Sequence, residues 1–140
     1  VLVARNIHKS TMAGIILAGL EIQWLEPDWD ERLGIYTRVS IQKEIGEKFS
    51  ALIITNPSYE GFYSQVPDLD IPIIIDEAHG AHYNFSDELP ETALEYGADI
   101  AIQSWHKTLG SLTQTGVFHL SKSSKIKTRR NNMRQNVTTS

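Results

Sequence analysis

Acid–base and nucleophilic side chains gather where apolar runs of this sequence end. IPIIIDEAHGAH (71–82) passes from five apolar residues to Asp76, Glu77, His79 and His82. DIAIQSWHKTLG (99–110) does the same and delivers Ser104, His106 and Lys107. RNIHKS (5–10) brings His8, and TNPSYEG (55–61) brings Asn56 and Ser58. DEAHGAH alone has several readings. Asp76, His79 and His82 could supply oxygen and nitrogen to a metal, although their spacing is not the helical HExxH type and no further ligand set is evident. A nucleotide-hydrolysing box needs a GxxxxGK[ST] phosphate loop upstream. None of Gly14, Gly19, Gly34, Gly46 or Gly61 is followed by Lys-Ser or Lys-Thr, which removes that reading. A capped turn with satisfied histidines, and the seat of an organic cofactor, both stay open.

Lys107 narrows the choice. A lysine at the end of a buried strand is costly to keep charged, and the neutral amine is a nucleophile toward aldehydes. The bland alternative is a lysine that snorkels to the surface. A carboxylate at a second strand end favours the chemical reading. Pyridoxal phosphate (PLP) needs a lysine for its aldehyde and a carboxylate to keep its ring nitrogen protonated. Lys107 and Asp76 meet those needs. Ala78 is small enough to lie against one ring face, His8 is an aromatic for the other, and Ser104 and His106 can hydrogen-bond a phosphate.

The elements that must position these residues follow an α/β pattern. Six apolar, β-branched runs lie at 1–4, 21–26, 51–55, 71–75, 99–104 and 116–120. Segments suited to helices lie at 8–20, 41–49 and 86–97, the last ending at Gly97 as a C-cap. Alternation of this kind predicts a mostly parallel sheet in a three-layer α/β/α arrangement. ALIIT (51–55) and IPIII (71–75) are apolar without alternation, as strands covered on both faces should be. GVFHL (116–120) follows its predecessor after a short loop and is expected to run antiparallel. Ligands of open α/β sheets bind at the carboxyl ends of strands, and all four polar clusters fall there.

RNIHKS, TNPSYEGFY, DEAHGAHY and SWHKTLGSLTQTG together resemble the Orn/Lys/Arg decarboxylase family of fold type I PLP enzymes, over essentially the whole chain. The resemblance implies a PLP-dependent transferase-like large domain. It implies Lys107 as the Schiff-base lysine, Asp76 as partner of the pyridine nitrogen, His8 and Ala78 on the two ring faces, and Ser104 and His106 at the phosphate. It places Asn56 and Ser58 near the ring hydroxyl and His79 near the substrate. The implied reaction is decarboxylation of lysine, ornithine or arginine to the corresponding amine, in a homodimer or higher homo-oligomer in the cytoplasm. Other fold type I activities, an aminotransferase or an α-oxoamine synthase, share the DEAHG turn; RNIHKS and the His-Lys pair speak against them. A non-catalytic fragment is the third reading.

The totals agree with one soluble domain. The chain has 140 residues, 41% hydrophobic and 21% charged, with formal net charge −4. That balance gives no whole-chain bias toward nucleic acid. No apolar run is long enough for a membrane helix, no signal peptide opens the chain, and there is no cysteine for a disulfide or thiolate site. Asn84-Phe-Ser86 and Asn136-Val-Thr138 match the glycosylation pattern by chance. Residues 1–140 read as part of a PLP-binding catalytic domain cut at both ends, with a phosphate loop expected before Val1 and a further domain after Ser140. A piece of this kind is expected to be inactive alone. The basic tail from Lys122 carries Ile126, Met133 and Val137 and reads as the start of an amphipathic helix.

Overall fold

The computed structural model describes residues 1–126. Six strands form one sheet: β1 (Leu2–Ala4), β2 (Gln23–Leu25), β5 (Leu52–Thr55), β6 (Ile73–Asp76), β7 (Ile100–Ser104) and β8 (Gly116–Leu120). Their order is β2-β1-β5-β6-β7-β8. All neighbours are parallel except β7 and β8, which pair antiparallel from Ile100↔Leu120 to Ser104↔Gly116. The six apolar runs thus become the six strands, with the expected directions.

Alternation of side chains across the pleat divides the core in two. Leu2, Ala4, Leu52, Ile54, Ile73, Ile75 and Ala101 build the larger cluster on one face. Val3 and Ile53 point the other way and meet Ile15 of helix α1 (Lys9–Leu17). β5 is buried on both faces, as its unbroken apolar run predicts. β6 is less covered: Ile73 and Ile75 are buried but Ile74 only half so. Burying each of the larger aliphatic side chains contributes about 1.5–3 kcal/mol.

Two expected helices are replaced. Residues 41–49 form only a 3-10 turn, Lys43–Glu47, over a stretch interrupted by Gly46. Within 86–97 there is no α-helix; Pro90 lacks the N–H that a helix interior needs. Its second half makes one turn instead. Glu95 accepts hydrogen bonds from the backbone N–H and the hydroxyl of Thr92, which is the acidic half of a capping box. The turn closes at once, because Ala98 N–H donates to Ala93 O and Gly97 N–H to Leu94 O, with Gly97 at φ 96°. The turn therefore starts and stops like a helix within six residues, and Gly97 ends it as expected.

Three short elements were not legible as runs. β3 (Trp29–Asp30) and β4 (Ile35–Tyr36) make a small antiparallel hairpin, joined by a T-shaped contact of Trp29 with Tyr36 at 5.0 Å. Helix α2 (Trp105–Thr108) is a single turn directly after β7. Of the basic tail, residues 127–140 lie outside the described residues, so the expected helix through Met133 and Val137 and the Asn136 motif do too.

Candidate active site

The carboxyl ends of β5 and β6 are level, and β7 runs two residues further. Thr55 pairs with Asp76, and Asp76 with Ile102. The ladder runs one step further, with Asn56 N–H donating to Asp76 O and Glu77 N–H to Ile102 O. Asp76 is therefore the last residue of a central strand, and the chain turns immediately after it. Ala78 N–H caps that turn by donating to Asp76 Oδ1 at 3.2 Å. No hydrogen bond reaches Oδ2 among the described residues. Ala78 itself is buried.

His79 and Lys107 meet across this edge. Lys107 Nζ lies 3.2 Å from His79 Nε2. Burial holds the His79 imidazole below its ordinary pKa, and the Lys107 ammonium pushes the same way; Asp76 and Glu60 pull against them, and His8 adds a smaller downward push. A neutral imidazole accepts at Nε2, so the charged Lys107 is the donor. Tyr59 packs edge-on against the His79 ring at 5.4 Å.

Lys107 stands one position past the middle of α2 rather than on the strand, and it is exposed. The expectation of a buried lysine is corrected here: the strand ends at Ser104, and one helical turn carries the amine out over the edge of the sheet. Ser104 is the N-cap of that turn and its side chain makes no capping bond. His106 donates from Nδ1 to Thr115 O at 3.1 Å, which leaves Nε2 as its other polar atom. His8 caps α1, accepting from Ser10 N–H at Nδ1, and its ring is exposed.

Asn56 and Ser58 are placed differently from the expectation. Asn56 is 1% exposed, and its amide is committed inward. Its Oδ1 accepts from Ser64 N–H, and its Nδ2 donates to Ser64 O and to the Tyr96 hydroxyl. Ser58, also buried, donates to Glu60 Oε2 and accepts from Phe62 N–H. Both residues hold the loop after β5 in shape, and both spend their polar hydrogens on those partners. His82 Nδ1, Thr55 Oγ1 and Asn6 Oδ1 are buried without a hydrogen-bond partner among the described residues. No three acidic or histidine side chains among those residues converge as metal ligands.

Sequence reasoning passed over Glu77. It is 1% exposed, and it accepts from Ala93 N–H and Gln103 Nε2, each at 2.7 Å. Burial pushes its carboxyl up, while the Gln103 and Ala93 hydrogen bonds pull it back. The available signal was the period: in IIIDE, Glu77 shares the strand face of Ile73 and Ile75, both core residues.

Residues 1–140 match the family described as Orn/Lys/Arg decarboxylase, major domain. The chain belongs to that family. It is 41% identical over 132 residues to an arginine decarboxylase of Bacillus cereus, covering 86% of this chain and 29% of that one. It is 37% identical over 132 residues to an arginine decarboxylase of Bacillus subtilis, covering 86% of this chain and 27% of that one. The chain thus spans less than a third of the length of these relatives. Among solved structures, the fold is shared with a chain of the SepCysS–SepCysE N-terminal domain complex (TM-score 0.56, 16% identity, 86% of this chain and 35% of that one). It is also shared with the aminotransferase AspB of Helicobacter pylori (TM-score 0.52, 13% identity, 76% and 32%). These likenesses agree with the α/β, mostly parallel fold of a transferase-like large domain.

The donor set suits the cofactor that this family implies. A primary amine, a carboxylate with one oxygen free of hydrogen bonds among the described residues, and a small buried residue two positions after that carboxylate follow the strand ends, with His106 on the turn that carries the amine. Lys107 would take the aldehyde of PLP, Asp76 would face the ring nitrogen, and Ala78 and His8 would flank the ring.

Proposed function

We propose that this chain carries the PLP-binding lysine and carboxylate of an enzyme that decarboxylates a basic amino acid to its amine. The contact between Lys107 Nζ and the neutral His79 carries the reading, because it joins a nucleophile to a proton acceptor at the end of the strand that bears Asp76. When bound, PLP supplies an electron sink for the carbanion left as carbon dioxide departs. The chain's own residues do the rest. An ammonium must shed a proton before it can attack, and Nε2 of His79 is in position to receive it. The same pair can return a proton to carbon after carbon dioxide leaves. Asp76 would face the ring nitrogen with its second carboxylate oxygen, and the Ala78 N–H holds the first. Tyr59 restricts the tilt of the His79 ring.

The relatives named arginine decarboxylases favour arginine over lysine and ornithine as substrate. A second copy completing the site, and a cytoplasmic location, go with this reading; no helix among the described residues is long and apolar enough to cross a membrane. Borohydride reduction of the complete protein loaded with PLP, followed by peptide mapping, should place the pyridoxyl mass on Lys107. Carbon dioxide release from arginine, lysine and ornithine then ranks the substrates. Label on Lys9 or Lys122, or no release from any of the three, would overturn the proposal.

A further inference from the structure

Behind the exposed edge runs a chain of buried and half-buried polar groups that the reaction does not use. Glu77 Oε2 accepts from Gln103 Nε2 at 2.7 Å. Gln103, 5% exposed, turns its other end outward, and Oε1 accepts from Trp105 Nε1 at 2.9 Å and from His119 Nε2 at 3.0 Å. Trp105 is the first residue of α2, two before Lys107. The relay thus links the loop after β6, strands β7 and β8, and the turn that carries the amine.

Its polarity is fixed from one end. A carboxylate only accepts, so Gln103 must present its NH2 group to Glu77 and its oxygen to Trp105 and His119. Indole N–H only donates, so the reverse orientation would set donor against donor at Trp105. Burial at Glu77 and Gln103 removes water as a substitute partner for the bond between them. We propose that Glu77 is the positioning residue for Lys107, acting through the orientation of Gln103 and the anchoring of Trp105. This rests on the reading of Lys107 as the amine that takes the aldehyde.

Isosteric exchange tests it. In Glu77→Gln, the oxygen of residue 77 stays on Ala93 N–H, so its NH2 faces position 103. Gln103 can then meet it only with Oε1, and Trp105 loses its acceptor. In Glu77→Gln combined with Gln103→Glu, the amide donates to the new carboxylate, which accepts from Trp105 and His119 as before. Two readouts apply to the complete protein: hydrogen exchange of the Trp105 indole N–H, which needs no cofactor, and the rate of PLP attachment at Lys107 under saturating PLP. Misplacement by ~1 Å costs on the order of 10²-fold in rate. The single variant should therefore lose between about tenfold and a hundredfold in attachment rate, with PLP affinity held and the indole exchanging faster. The double variant should restore both. A single variant with an unchanged indole and rate, or a double variant that stays impaired or fails to fold, overturns the proposal. If Lys107 is not the attachment site, the parent protein fails the second readout while the indole still reports on the relay.

Discussion

Gly80 shows how tightly the turn after Asp76 is built. Its backbone does not lie in the left-handed region, so glycine is required there by space alone. A Cβ at this position would sit 2.7 Å from Glu77 Cγ and 2.9 Å from Pro57 Cδ. Carbon atoms in ordinary contact are about 3.5–4.0 Å apart, so Glu77 would have to retreat by about 0.8–1.3 Å. Pro57 blocks relief on the other side, since its ring is rigid. Overpacking of this kind costs about 1–3 kcal/mol. The retreat also strains the Glu77 hydrogen bonds, each about 1.5–3 kcal/mol where one partner is charged. Restricting the unfolded chain returns about 0.4–1 kcal/mol. Gly80→Ala should therefore lose about 2–5 kcal/mol in urea unfolding followed by circular dichroism, and most PLP attachment with it. Gly14 is the control: it lies inside α1 and an added Cβ meets nothing within 4 Å. Gly14→Ala should gain roughly 0.5–1 kcal/mol. A Gly80→Ala variant within about 0.5 kcal/mol of the parent would refute the account of this turn, since surface changes away from such features stay in that range.

Asp76→Asn should keep the pyridoxyl label on Lys107 but lower turnover by ~10²–10³-fold, the usual worth of one such electrostatic contact; near-normal carbon dioxide release would contradict its role. Asn56→Ala leaves Ser64 N–H and C=O buried without their partner, at ~1–3 kcal/mol each, so thermal melting should show a large loss with the PLP ring contacts unaffected once folded. The His79 imidazole is depressed by burial, and His119 likewise. As pH falls past about 6.5 the unfolded chain takes up those protons first, so the two groups make the native state less stable with acid until both are protonated in it. His79→Asn should therefore flatten the fall of the urea midpoint below pH 6.5; an unchanged slope would remove His79 from that account.

The elements that sequence could show were those whose apolar pattern is local. The runs of β1, β5, β6 and β7 become strands that bury apolar side chains in the core, those of β2 and β8 flank them as the two outer strands, and the short link into GVFHL leaves no room for a crossover. That Asp76, His79 and Lys107 follow closely on such runs was legible for the same reason. What tertiary structure alone decided concerns partners distant in the chain. Asn56 looks like a ligand in TNPSYEG, but Ser64 and Tyr96 occupy its amide. Lys107 looks buried in a run that continues to Ser104, but one helical turn lifts it into solvent beside His79. Glu77 looks like one more acid in a polar loop, yet it is buried against Ala93 and Gln103. A hydrogen bond between residues far apart leaves no periodicity behind, so only the folded chain reveals which polar groups face the site and which hold it in place.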